Sequence, residues 1–182
     1  ETTACLTFGK KVRAVEVRIG LSALSSELAS WECARWEKMD FAELKSQTGN
    51  QWEKQLSAID VKGGKKDDKV IFYTSLYRAY LSPADVSSPD GAYLGTDGKV
   101  YISEDFRYYS NWSLWDTFRT KFPLLVLTEP ARMRDMATSL IHLYATGKKD
   151  WSTGFESTPT VRTEHAVILL LDAYRKGITT LD

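Results

Sequence analysis

The chain has 182 residues, 43% of them apolar and 26% charged, a globular composition at the length of one ordinary domain. Lysine plus arginine equals aspartate plus glutamate, so the formal net charge is +0, and the basic excess wanted by nucleic acid or an anionic membrane surface is missing. No apolar run approaches the roughly 20 residues of a bilayer span, and no signal-peptide pattern opens the chain, whose start "ETTACLTFGKKV" reads as mid-protein sequence. Two cysteines, Cys5 and Cys33, and two histidines, His142 and His165, are too scattered for a zinc or other metal cage. The thiols could pair in a secreted protein or stay as two buried free cysteines.

The first element in chain order is "VEVRIG", where Val15, Val17 and Ile19 alternate with Glu16 and Arg18. That is the period of a half-buried strand, yet no partner strand follows, so its sheet is expected outside this chain. The rest reads as helices. Leu21, Leu24, Leu28, Trp31 and Arg35 hold helical spacing behind a cluster of serines. Leu44, Trp52, Leu56 and Ile59 predict a second amphipathic helix, frayed at "TGN". "VKGGKKDDK" reads as a solvated loop, and "VIFYTSLYRAY" as a strong helix ended by Pro83. A long loop rich in Gly, Asp and Tyr follows, and its aromatics argue for order. Ser113 and Asp116 have the spacing of a capping box for a helix that Pro123 would stop. The next helix starts at Pro130, buries Met133, Ala137, Leu140, Ile141 and Tyr144, and closes at Gly147. "HAVILLLDAYRKG", apolar on most sides and ended by Gly177, is expected to lie among other helices. The chain then stops where a further helix is expected.

The stretch "NWSLWDTFRTKFPLL" sets Asp116 directly beside Trp115. Taken alone, "SLWDTFR" fits a core helix with a capping aspartate better than a substrate site. The order of its neighbours changes the balance: "FYTSLYR", "GAYLGTDGKVY", "SLWDTFR", "EPARMRDMATSL" and "DAYRKGI" follow one another at close, specific spacing.

This succession resembles the calcium-dependent exo-α-mannosidases of glycoside hydrolase family 92, over nearly the whole chain from "VEVRIGLSALSSELA" onwards. The resemblance implies a mainly α fold: residues 1–20 as the end of an N-terminal β-sandwich domain, 21–66 as a helical linker, and 67–182 as the first part of an (α/α)6 barrel catalytic domain. One strand of an otherwise missing sandwich would then account for Val15 to Ile19. The resemblance further implies release of mannose from α-mannosides of N-glycan type by calcium-assisted inverting hydrolysis, in a secreted, secretory-pathway or, in a bacterium, periplasmic protein. It places Asp116 in the mannose subsite, where a carboxylate accepts two sugar hydroxyls in charge-assisted bonds. Trp115 and Trp151 become the apolar wall of the pocket, Trp151 being open equally to a surface-packing role, and Arg119 orients the carboxylate. The partners are a mannose-containing glycan and the remainder of a longer or nicked polypeptide. The acid, the base and most calcium ligands of the family lie further along than residue 182, so no catalytic residue is assigned here, neither Glu156 nor Asp97.

One stretch departs from the family pattern. Where that pattern has Met-x-Gly-x-His, the chain reads "ESTPTVRTEH", keeping Glu156 and His165 but setting Arg162 or Thr163 near the glycine position. A side chain where backbone should approach closely narrows a pocket, which opens the alternative of a non-catalytic homologue acting as a glycan-binding or structural glycoprotein. An unrelated helical interaction domain is the third class. Asn111-Trp112-Ser113 is a glycosylation sequon, read as a chance triplet or a used surface site. Expressed alone, residues 1–182 are expected to aggregate or stay molten, because an all-round apolar helix and an unpaired strand leave burial too small to offset ordering.

Overall fold

A computed structural model describes residues 4–146 and 165–179. The chain divides after Lys38 into two compact units. In the first, residues 15–19 carry no sheet pairing and Val17 and Ile19 stay exposed. A strand is defined by its ladder, and no described residue offers one. Helix α1 (Ser26–Arg35) begins later than the leucine spacing suggests. Ser22 Oγ accepts the amide of Leu24 at 3.1 Å, and Ser25 Oγ caps the helix through the amide of Leu28 at 3.2 Å. The serines therefore hold residues 21–25 out of the helix and start it at Ser26. Cys5 and Cys33 are both free thiols; Cys5 is exposed and Cys33 half-buried, so neither is the fully buried thiol considered from sequence.

The second unit opens with α2 (Phe41–Leu56), which runs unbroken through Thr48-Gly49-Asn50. A single glycine costs a helix only about 1 kcal/mol. A reciprocal capping box between Asp40 and Glu43 stabilises the start. Helix α3 (Lys66–Tyr80) begins inside the stretch read as a solvated loop. Lys66, Asp67 and Asp68 form its first turn, where acidic side chains suit the positive end of the helix, and the Asp68 carboxylate accepts the Lys65 amide at 3.2 Å.

The long aromatic loop contains two small antiparallel ladders, one nested within the other. The outer pairs β1 (Ala84–Asp85) with β4 (Tyr109–Ser110), and the inner pairs β2 (Ala92–Leu94) with β3 (Val100–Ile102). Arg107 ties the outer arms together: its guanidinium donates to Asp85 Oδ2 at 2.9 Å, to the Ser88 carbonyl at 2.9 Å and to the Ser87 carbonyl at 2.8 Å. Tyr93 stacks on Tyr108, with ring centres 4.1 Å apart. Burial pushes the Tyr108 phenol up to about 12, with Tyr93 adding to the shift.

Three helices close the described chain: α4 (Lys121–Thr128), α5 (Pro130–Ala145) and α6 (His165–Arg175). Pro123, expected to stop a helix, instead lies in the first turn of α4. The reason is plain, since an amide at that position has no partner within the helix for proline to remove. Helix α5 buries Met133, Met136, Ala137, Leu140 and Leu143 completely, while Ile141 and Tyr144 are only half-buried. Helix α6 presses Ala166, Leu169 and Ala173 into the core and leaves Val167, Ile168 and Tyr174 exposed, so it is one-sided and not enclosed all round. Its end has both bonds of a Schellman motif: Gly177 adopts φ +70, its amide reaches the Tyr174 carbonyl at 2.9 Å, and the Ile178 amide reaches that of Ala173 at 2.9 Å. The Gly147 expected to close α5 lies outside the described residues. The fold is mainly helical, with one core formed by α3 to α6 and the tryptophan-rich segment between β4 and α4.

Candidate functional site

The segment between β4 and α4 is built from two halves. Trp112 and Leu114 are sunk in the core, Trp112 at 2% exposure with its ring centre 6.0 Å from that of Phe122. They hold the chain on the helices. From Trp115 to Thr120 it forms a run of turns and not the helix expected from the spacing of Ser113 and Asp116. No capping box forms there. Thr117 Oγ1 donates to the Ser113 carbonyl, Arg119 N–H to the Asp116 carbonyl at 3.3 Å, and Phe122 N–H to the Thr117 carbonyl at 3.1 Å. Hydroxyl-to-backbone bonding of this kind competes with helix, which starts only at Lys121.

The turn projects its polar groups outward. The Asp116 side chain is 71% exposed, and Trp115 beside it is 45% exposed. Arg119 stands 3.9 Å from Asp116 Oδ1, a single loose approach between two exposed groups that leaves the carboxylate open to another donor. Asn111, the sequon residue, is exposed at the entry to the segment with φ +65, a conformation asparagine tolerates better than most side chains.

His165 is the residue that sequence reasoning left unassigned. It begins α6, and its imidazole stacks on Phe118 of the turn with centres 4.1 Å apart and planes 15° apart. Its Nδ1 is buried and has no hydrogen-bond partner among the described residues. The signal was in "ESTPTVRTEH", where this histidine persists through an altered neighbourhood. Trp151, Glu156, Arg162 and Thr163 lie outside the described residues.

Asp97 has a different task. Its Oδ2 accepts the Tyr101 hydroxyl at 2.8 Å and its Oδ1 accepts the Lys99 amide at 3.1 Å, and these bonds hold its carboxyl below the usual range. It fastens the hairpin between β2 and β3, a structural use of a carboxylate in a turn. Among the described residues no group of three His, Cys, Asp or Glu side chains is placed to hold a metal ion. Among the same residues no helix is long and apolar enough to cross a membrane.

Residues 27–182 match the glycosyl hydrolase family 92 catalytic domain. Among solved structures, the chain is similar to the family GH92 α-mannosidase BT3965 of Bacteroides thetaiotaomicron: 30% identity over 88% of this chain and 22% of that one, TM-score 0.81. The same figures hold for that enzyme in complex with mannoimidazole. The GH92 family glycosyl hydrolase CcMan5 is 32% identical over 84% of this chain and 21% of its own, TM-score 0.72. The chain thus spans about a fifth of the length of these solved relatives. No curated protein matches it in sequence.

Proposed function

This chain belongs to glycosyl hydrolase family 92, and its helices are part of a helical barrel of that fold; on that premise we propose that it supplies one wall of the sugar pocket of an exo-acting α-mannosidase. The observation that carries this reading is the pairing of a buried anchor with an open carboxylate: Trp112 fixes the segment while Asp116 faces outward beside Trp115. A mannose ring presents adjacent hydroxyls on one edge and C–H groups on a face. Asp116 would accept two of the hydroxyls, and Trp115 would cover the apolar face. Arg119 would steady the carboxylate, and the stack of His165 on Phe118 would fix the back of the turn. The solved relative bound to mannoimidazole makes a mannose-type ligand the natural candidate.

The bond-breaking groups belong to the rest of the pocket. Inverting hydrolysis needs an acid and a base with room for a water between them, carboxyls about 6.5–9.5 Å apart. Calcium assistance, with the ion held outside the described residues, and action on N-glycans complete the proposal. The protein would act in a secreted or periplasmic setting.

A second reading, a homologue that binds glycans without cleaving them, draws on Arg162 and Thr163 near a position where the family pattern has glycine. The experiment is mannose release from an aryl α-mannoside by the intact protein, with and without a calcium chelator, the first-formed anomer being read by NMR. Chelator-sensitive release of β-mannose supports the enzyme. Mannose binding without turnover selects the second reading, and absence of both defeats the glycan reading altogether.

A further inference from the structure

A second polar centre lies at the corner where α3 meets β1, β4 and α4. Two cations converge there. Lys121 Nζ donates to Ser82 Oγ at 2.9 Å, and Arg132 Nη2 donates to the Tyr80 carbonyl at 3.1 Å, with the Pro83 carbonyl at 3.4 Å. Both side chains are half-buried, and every acceptor they have among the described residues is neutral. The Arg132 guanidinium also lies over the Tyr109 ring, 5.5 Å from its centre. The carboxylates nearest Tyr109 are engaged elsewhere: Asp85 by the Arg107 guanidinium at 2.9 Å, and Asp135 by the Arg107 amide at 3.3 Å.

Two buried donors lie on residues adjacent to these in the ladder or in the packing. Ser110 is 1% exposed and is the register partner of Ala84, the residue after Pro83, and its hydroxyl makes no hydrogen bond among the described residues. Trp112 packs on Phe122, the residue after Lys121, and its indole N–H is likewise buried without a partner. A buried donor without an acceptor costs about 1–3 kcal/mol, and an unpaired buried cation costs more. Two neighbouring cations whose acceptors among the described residues are all neutral describe half of an ion pair.

The geometry points to an oxyanion site at this corner, in which Lys121 and Arg132 receive a carboxylate or phosphate group. Two sources offer that chemistry: a carboxylate side chain from another part of the protein, or a free oxyanion from solution. Arginine suits either through its planar fork, and lysine through its compact charge. Without the anion, burial and the neighbouring Arg132 lower the Lys121 ammonium to about 8. A bound oxyanion reverses that shift.

The test compares the intact protein with Lys121→Met in inorganic phosphate and in chloride of equal ionic strength. Methionine keeps the apolar stem and removes the charge. A carboxylate of the protein at the corner makes the variant melt roughly 5 °C or more below the wild type in either salt, because the anion loses its partner. If the oxyanion comes from solution, phosphate raises the wild-type melting temperature and leaves the variant unmoved. If it is the protein's own carboxylate, phosphate raises neither and the variant is still destabilised. A variant that melts at or above the wild type in both salts overturns the proposal, since removing an unpaired cation relieves strain. Competitive acetylation of the wild type across pH, read by mass spectrometry, decides the matter even if the variant fails to fold. With phosphate present, titration of Lys121 above 10 supports the site, and titration near 8 overturns it.

Discussion

Trp112 and Trp115 stand in the same short stretch, and their surroundings are opposite. The first is closed into the core against Phe122 of α4, and the second stands half open to solvent next to a charged carboxylate. Burial of an indole fixes position, because a large ring has few ways to fill one cavity. An exposed indole beside a carboxylate offers a surface with a flat apolar part and an acceptor. The difference teaches how a turn with no regular hydrogen-bond ladder can still present groups precisely: the precision is borrowed from the residue three places earlier.

The comparison can be broken most forcefully at the anchor. Trp112→Ala in the intact protein should cost about 3–5 kcal/mol in denaturant unfolding. Mannose release should fall with it, since the turn loses its seat. If stability holds while activity goes, the indole touches sugar instead and the division between the halves is wrong. The outward half should behave in the reverse manner. Asp116→Asn keeps shape and removes charge, and kcat/KM for an α-mannoside should fall about 10- to 100-fold, the worth of a charge-assisted bond. The melting temperature should stay within roughly 1 °C, because the carboxylate is solvated in the free protein. Unchanged kinetics would remove Asp116 from the pocket.

A third test extends the contrast to ionisation on the buried side. Tyr108 has its folded pKa raised above its unfolded value of about 10, so the stability it contributes is whole below pH 10. That contribution is lost as pH rises from about 10 through about 12. Spectrophotometric titration should find one phenol that ionises only near 12, and alkaline unfolding should track it. An early-titrating Tyr108 would mean that the aromatic stack is open to water. The smallest effect belongs to Arg119→Gln, whose ion pair is exposed on both sides. Stability should change by less than about 0.5 kcal/mol, and any loss should appear as a modest rise in KM.

Features set by a single residue's chemistry were readable in the sequence. Pro130 begins α5 and Gly177 ends α6 with the expected left-handed turn. Both act locally, through a fixed φ in one case and an absent Cβ in the other. Features decided by competition were not readable. Ser113 and Asp116 have the spacing of a cap, yet the Thr117 hydroxyl takes the Ser113 carbonyl and no helix forms until Lys121. Pro123 reads as a stop, yet it lies in the first turn of α4, whose Phe122 and Leu125 are buried. The outer ladder within 84–110 depends on pairing across the loop, which no local pattern announces, whereas Asp97-Gly98 between "AYL" and "KVYI" marks the inner turn. Of the candidate site, Asp116 and Trp115 are nominated by the resemblance that "SLWDTFR" carries, whereas His165 enters only because the fold brings α6 against Phe118.

The Arg107 clamp has a consequence for time as well as for shape. Its guanidinium joins the two arms of the excursion across about 20 residues, a closure whose entropic cost grows only slowly with length once the ends have met. Other bonds run beside it: Val86 N–H reaches the Tyr108 carbonyl at 2.9 Å, and the Tyr108 and Tyr109 amides reach hydroxyls of Ser87 and Ser139 at 2.6 and 2.9 Å. The first two bonds cross between the arms and are lost if the arms part, whereas the Tyr109 amide is held by α5. Val86 and Tyr108 should therefore take up deuterium together, at one rate, as a single opening event, with Tyr109 protected beyond it. One guanidinium would then set the lifetime of the closed loop, and substituting Arg107 would shorten that lifetime for both amides at once.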